Sequence, residues 1–256
     1  MQLTHNNLEE YQDPRNYDLE FGGEVDKYAF FLRLAEQQQG SVLELACGTA
    51  LTALPIAQAG FDVTGVDLAP EMLAYAQHKA HALGVPLRLL HGNALRLNEV
   101  LPTQRYDLIY LTGNAFQCFL TPQDQTTLLQ GVHALLADGG VFAFETRNPN
   151  GTDLSLVETA EPWHTFVDGH GETVTVSGTQ RYDAENAIMH WTTIRRSEGQ
   201  ERHSRIACRF TDRDALNSLL AANGLALEAQ YGNWQGDAFS PNSPLIISVC
   251  RRTERP

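Results

Sequence analysis

Apolar residues recur along this chain at two periods, and the change of period divides it. Residues 1–40 read as polar turns followed by one helix, Val25 to Gln38, in which Tyr28, Phe31, Leu32 and Ala35 fall at i, i+3, i+4 and i+7. From Ser41 short apolar runs alternate with helical spacing: VLEL, FDVTGVD, PLRLLH, YDLIYLT and VFAFETR, the last led in by Gly139-Gly140. Between the first two runs lies a helix with Leu51, Leu54 and Ala57 on one face, which must begin shortly before Pro55 because proline is harmless only in a first turn. Pro70 opens the next helix and Gly84 ends it, and Thr121, with Asp124 three residues on, caps a helix from Pro122 to Ala137. Five strands separated by helices predict an α/β core with a parallel sheet over residues 41–149.

At residue 150 the helical period disappears. ETVTVSGTQRY, AIMHWTTIRR and ERHSRIACRF alternate apolar and polar residues, with breaks at Asp183–Asn186 and Glu198-Gly199. That pattern predicts an antiparallel meander over 150–209, placed as a lid on the parallel sheet. Residues 210–256 return to the core with a helix capped near Asp212 and stopped by Gly224, then strands at LALEAQY and PLIISVCRR.

Composition narrows the function more than the fold. The 256 residues carry a formal net charge of −13, with only Lys27 and Lys79 as lysines. A nucleic-acid partner needs a basic footprint, and the pairs Arg195-Arg196 and Arg251-Arg252 are too short to supply one. No run reaches membrane-spanning length and the first residues lack the apolar stretch of a signal peptide. Cys47, Cys118, Cys208 and Cys250 are widely separated, which gives no zinc spacing and no disulfide framework; no metal is expected, and a reducing cytoplasm is the natural setting.

The chemistry concentrates in VLELACGTALTALPIAQAGFDVTGVD, Val42 to Asp67. A tight strand-to-helix turn needs small residues so that backbone amides can approach a ligand at the helix N-terminus. Gly48 keeps the central position, while Ala46 and Ala50 stand where glycine is usual, a substitution intolerable only where φ must be positive. Leu51 occupies the third position of G-x-G-x-x-G, which argues against a dinucleotide, and no G-K-[ST] follows.

With GVDLAPEML (Gly65 to Leu73), HGNALRL (His91 to Leu97), YDLIYLTGNAFQ (Tyr106 to Gln117) and LLADGGVFAFETRNP (Leu135 to Pro149) in order behind LELACGT, the chain resembles the class I S-adenosylmethionine-dependent methyltransferases over nearly its whole length. Tyr11, Tyr17-Asp18 and the ending YGNWQGDAFSPNSPLIISVCRR resemble a bacterial group acting on small molecules. The resemblance implies a Rossmann-like doubly wound sheet with an antiparallel last strand, an inserted antiparallel lid, and S-adenosylmethionine as cofactor. It implies that Asp67 accepts hydrogen bonds from the ribose hydroxyls, a plain helix cap before Pro70 being the alternative. Leu68 and Met72 would pack on the adenine. Asn93, where the family usually has Asp, would face the adenine edge with Ala94 beside it, unless His91-Gly92-Asn93 is only a turn. Leu111 and Thr112 would line the methionine portion through backbone groups, Glu44, Ala46, Cys47 and Gly48 would also meet the cofactor, and Tyr11 and Tyr17 would either close over it or anchor the N-terminal segment.

Methyl transfer is an in-line displacement, so the protein mainly aligns the acceptor and excludes water. A base is needed only for a protonated nucleophile. The acceptor is expected between the meander and the C-terminal edge of the parallel sheet, near Asn114, Phe116, Glu145, Arg147, Asn148, Trp163 and Tyr231, with His164 as the candidate base. A half-buried lid strand is the plainer reading of Trp163-His164, and His190-Trp191 repeats the pair. The expected activity is methylation of N or O on a small molecule by a cytoplasmic enzyme; a tRNA or protein acceptor, or a cofactor-binding module without catalysis, are the alternatives.

Overall fold

The computed structural model describes residues 7–253, so the first six residues of the expected N-terminal cap lie outside it. The seven-stranded sheet has the order β10-β11-β5-β4-β1-β2-β3. Its strands are β1 (Val42–Leu45), β2 (Val63–Asp67), β3 (Arg88–His91), β4 (Tyr106–Leu111), β5 (Leu136–Arg147), β10 (Leu225–Tyr231) and β11 (Leu245–Arg252). β1 to β5 run parallel, and β11 pairs antiparallel with both β5 and β10. The chain builds β1-β2-β3 outward and then crosses back to β4 on the other side of β1. A cleft opens where the strand order reverses, beyond the C-terminal ends of β1 and β4.

Alternation along the central strands fixes what each face packs against. Leu43, Leu45, Ile109, Leu111, Phe142 and Phe144 point to one side, against Leu97 of the short α5 (Leu97–Val100), α6 (Pro122–Leu135) and α7 (Arg213–Ala222). Val42, Leu108, Tyr110, Val141 and Ala143 point to the other, against α2 (Val25–Gln38), α3 (Ala53–Gln58) and α4 (Pro70–Leu83). Phe31 of α2 stacks on Tyr110 with ring centroids 4.5 Å apart and is fully buried. Truncation of such a ring costs about 3–5 kcal/mol.

Helix ends follow their local chemistry. Asp13 accepts the Asn16 N–H ahead of Pro14, so α1 (Pro14–Phe21) starts on a capped, proline-primed turn where the sequence reads only polar turns. Thr121 caps α6 at the Asp124 N–H, and α6 stops at Leu135, two residues before the expected end, because the chain is already extended at Leu136. α3 begins at Ala53, which leaves Pro55 in its first turn.

The second sheet is wholly antiparallel in the order β6-β7-β8-β9: β6 (Val157–Val167), β7 (Thr173–Asp183), β8 (Ile188–Ser197) and β9 (Gln200–Arg209). It is inserted between β5 and α7. The N-terminal segment lies across it: the Asn7 carboxamide pairs with both backbone groups of Ala207, at 2.9 and 3.0 Å. Arg195 of β8 is buried between Glu10 and Glu20, donating from Nε to Glu20 at 2.7 Å and from Nη1 to Ser204 at 3.1 Å. Asp18 ties the same segment to the parallel core through Thr49 and Lys79.

Candidate functional site

One cavity sits at the reversal of strand order. Its wall is built from the turn after β1 (Ala46 to Thr49), the end of β2 (Asp67, Leu68), Met72 of α4, the Gly92–Leu95 turn, Thr112 and Gly113 after β4, and the N-terminal Leu8, Tyr11, Tyr17 and Phe21. Every residue expected to meet the cofactor lines it except Leu111, which is buried against the sheet's other face.

The turn after β1 holds a compact left-handed path. Ala46, Gly48 and Ala50 have φ of 54°, 52° and 61°. The two alanines therefore occupy the conformation in which a Cβ is strained, by about 1 kcal/mol or more each. At Gly48 the space is also short, since a Cβ would lie 3.3 Å from Met72 Cε. The left-handed path turns the backbone of Gly48 toward Asp67, whose Oδ2 accepts its N–H at 2.7 Å while Oδ1 accepts Ala69 N–H at 2.7 Å. Each carboxylate oxygen keeps a second lone pair for a ligand hydroxyl. Burial raises the Asp67 pKa, and the backbone N–H groups only partly offset this.

Asn93 does two jobs. Its Oδ1 accepts Leu95 N–H at 2.8 Å, capping a short helical turn, and the residue also lines the cavity. The plain-turn reading and the ligand-facing reading therefore describe one residue.

Below the turn lies a buried polar layer. Glu44 is 1% exposed, accepts the Tyr110 hydroxyl at 3.1 Å, and has its pKa pushed by burial to about 8. Lys27 reaches the cavity from α2, paired with Glu24 and buried to 6% exposure. Among the described residues it is the only lysine or arginine on the cavity wall. The expected stripe Tyr28, Phe31, Leu32 and Ala35 shares Phe31 and Ala35 with the buried face, but Tyr28 and Leu32 are only partly buried and Lys27, not in that stripe, is buried instead. The buried face is Lys27, Phe30, Phe31, Leu34 and Ala35, and a lysine opening that stripe is the available signal. Burial drives the Cys47 thiol well above its usual range, which suits a turn residue and no nucleophile.

The residues expected around the acceptor are dispersed. His164 lies on β6, with Nε2 3.0 Å from Glu20 Oε1 at the edge of the Arg195 network. Trp163 covers Gly178 of β7, where a Cβ would come within 2.3 Å of its ring. Neither lines the cavity. Asn148 donates to the Pro241 and Ser243 carbonyls at 2.8 and 2.7 Å, holding the loop before β11. Tyr231 packs on Phe30 at 5.7 Å, and Phe116 on Phe144 at 4.6 Å. Asn114 gives its N–H to Glu145 at 2.9 Å, while its Oδ1 is buried without a partner. Arg147 comes nearest to a wall role: it donates to Gln117 at 3.2 Å, and its guanidinium lies 5.1 Å over the ring of Trp191. Trp191 belongs to the cluster that packs β8 and β9 on Cys118, a cavity residue. The inserted sheet thus approaches the cavity through Trp191 and Cys208, one strand pair away from the expected Trp163-His164.

The site fits S-adenosylmethionine by the chemistry of its groups. Asp67 offers paired acceptors for a diol, Met72 and Leu68 an apolar slot for a purine, the left-handed turn a close backbone approach, and Lys27 a cation for a carboxylate. Comparison with known proteins points the same way. A family described as a methyltransferase domain matches residues 42–140. A glycine/sarcosine N-methyltransferase of Aphanothece halophytica is 30% identical over 54% of this chain and 51% of its own length. A demethylmenaquinone methyltransferase of Thermus thermophilus is 34% identical over 50% of this chain and 57% of its own. The chain spans about half the length of these curated relatives. Among solved structures, the CcbJ methyltransferase from Streptomyces caelestis superimposes with a TM-score of 0.85 at 24% identity, covering 98% of this chain and 100% of that one.

Proposed function

We propose that this chain, which has the class I S-adenosylmethionine-dependent methyltransferase fold with an inserted antiparallel sheet and carries a methyltransferase domain, moves a methyl group from S-adenosylmethionine to a nitrogen or oxygen of a small molecule. The observation that carries this reading is the Asp67–Gly48 hydrogen bond, which fixes a diol acceptor and a left-handed turn on the wall of one cavity. The cofactor supplies a methyl on a positive sulfur, already activated for displacement. What remains for the protein is alignment and exclusion of water. Asp67 holds the ribose, Met72 and Leu68 the adenine, Asn93 and Ala94 its edge, and Lys27 the methionine carboxylate. Glu44, on the same cavity wall, would receive the methionine ammonium, whose charge would draw its proton off.

The aromatic wall of Tyr11, Tyr17, Phe21 and Phe119 closes the remaining side, and the acceptor enters there. The division of labour follows: residues 41–149, with Lys27, bind the cofactor, the N-terminal aromatic residues shape the acceptor side, and 150–209 back them from behind. The acidic chain, with Lys27 as the one cation among the described residues of the cavity wall, suits a small neutral or cationic acceptor better than a polyanion. Four free cysteines accord with a cytoplasmic setting. The test is incubation with methyl-labelled S-adenosylmethionine and a cell extract separated into small metabolites, RNA and protein. Label is expected in the small-metabolite fraction; label confined to RNA or protein overturns the acceptor class, and label nowhere favours a module without catalysis.

A further inference from the structure

Glu145 is a buried carboxyl that holds part of the cavity wall without lining it. It is 2% exposed and sits near the end of β5. Leu111 pairs with Phe144 as the last rung between β4 and β5, so Glu145 lies beside the chain as it leaves the sheet. There its Oε1 accepts the Asn114 N–H at 2.9 Å and the Thr112 hydroxyl at 3.4 Å. Between these two contacts stands Gly113, which lines the cavity together with Thr112. We infer that Glu145 is a positioning residue: it fixes the Thr112–Gly113 wall against which the amino-acid half of the cofactor lies, an inference that rests on the S-adenosylmethionine reading above.

The segment needs an outside anchor. Gly113 and Asn114 are left-handed in succession, with φ of 70° and 58°. Glycine takes that path freely and asparagine more readily than most residues, so the local sequence permits the reversal without making it rigid. Within the segment the Ala115 N–H reaches the Thr112 carbonyl only at 3.4 Å. Glu145 supplies the shorter bond, from a strand held on both sides by β4 and β11. The carboxyl is otherwise unfavourable here: its Oε2 is buried without a partner, and burial raises its pKa against the charge of Lys27. The hold of Oε1 on the wall is what it contributes. Register decides which half of the ligand meets that wall. Leu45 of β1 pairs with Val66 on one side and Leu111 on the other, so β1 separates Thr112 from Asp67. Asp67, Leu68 and Met72 take the adenosine half on the β2 side. Thr112 and Gly113 lie on the β4 side, where a Cβ at Gly113 would stand 3.9 Å from the Tyr17 hydroxyl.

The test joins amide hydrogen exchange of the ligand-free protein to calorimetric titration with S-adenosylhomocysteine and with 5′-methylthioadenosine, which lacks the amino-acid end. In Glu145→Ala the Asn114 amide should exchange about tenfold faster or more, while amides of β1 and β2 keep their parent rates. Affinity for S-adenosylhomocysteine should fall about tenfold or more, and that for 5′-methylthioadenosine should stay within about twofold. Glu145→Gln keeps an acceptor for the Asn114 N–H and should bring both readouts within about threefold of the parent. Unchanged Asn114 exchange in the alanine variant, equal loss for the two ligands, or no rescue by glutamine overturns the inference. Should the alanine variant not fold, the native protein and the glutamine variant decide: a protected Asn114 amide in both supports the inference, and exchange at the rate of an open loop overturns it. Failure of the native protein to bind S-adenosylhomocysteine counts against the cofactor reading, and the exchange readout then decides the hold on the wall by itself.

Discussion

Asp67 Oδ2 accepts the backbone N–H of Gly48 at 2.7 Å, which joins the end of β2 to the turn after β1. The carboxylate proposed to hold the ribose is thus also the group that fixes the turn, and the left-handed path of Gly48 is what brings its N–H within reach. Asp67→Ala is expected to weaken S-adenosylhomocysteine binding by about 1.5–3 kcal/mol, the usual scale for hydrogen bonds to a charged group. It should lower the melting temperature as well, because Gly48 and Ala69 each lose an acceptor. Calorimetric titration alongside a thermal melt checks both; unchanged affinity would remove Asp67 from the site.

Ala46 and Ala50 carry a methyl at φ of 54° and 61°. Replacement of Ala50 by glycine relieves that strain and loosens the unfolded chain, and the two effects offset. Ala50→Gly should therefore change stability by less than about 1 kcal/mol and cofactor affinity by less than about tenfold. Ala50→Val, a branched residue in the same buried left-handed position, should cost about 2 kcal/mol or more. Denaturant melts of the two variants separate strain from packing, and equal destabilisation by glycine and valine would contradict the assignment.

Glu44 gives the stability a pH dependence whose sign is fixed by its burial. Its folded pKa, about 8, lies above the unfolded value near 4.5, so the folded state binds the extra proton between them. Stability is then lost as pH rises through that window and is level above it. Glu44→Gln keeps an acceptor for the Tyr110 hydroxyl without titrating. Without cofactor, its unfolding free energy should match the parent near pH 4.5 and exceed it increasingly towards pH 8, by up to about 4 kcal/mol, with the melting temperature rising in step. Parallel melting curves across that range would show that Glu44 is ionised throughout.

Arg195 is the pin between the inserted sheet and the N-terminal segment. Arg195→Ala leaves Glu10 and Glu20 buried against it without their cation, and loss of one partner from such a pair costs about 3–5 kcal/mol. The segment carrying Tyr11 and Tyr17 should become protease-sensitive and cofactor affinity should fall. His164→Ala removes only an exposed partner of Glu20, so it should leave turnover within a few-fold at every pH. Limited proteolysis and a pH–rate profile read the two variants; a pH-dependent collapse of turnover in His164→Ala would restore that residue as the base.

Much of this architecture was legible from period alone. The core strands, the caps at Thr121 and Asp212 and the stop at Gly84 declare themselves, because local chemistry and burial there agree. α1 was missed since its aromatic side faces the cavity and the helix buries nothing fully in the core. β6 was expected as a lid strand only around Trp163-His164, because none of its residues is buried and no alternation marks the rest. In the site, residues set by backbone geometry were readable from spacing. Lys27 and Cys118 depend on which helix face and which strand meet the cavity, and that is decided by packing between segments far apart in sequence.

The measurement that bears most directly on the central claim is a calorimetric titration of the purified protein with S-adenosylhomocysteine and, in parallel, with NAD. A saturable one-to-one isotherm for S-adenosylhomocysteine, weakened by Asp67→Ala, and no heat from NAD is the expected result. Binding of NAD with none of S-adenosylhomocysteine would contradict the account.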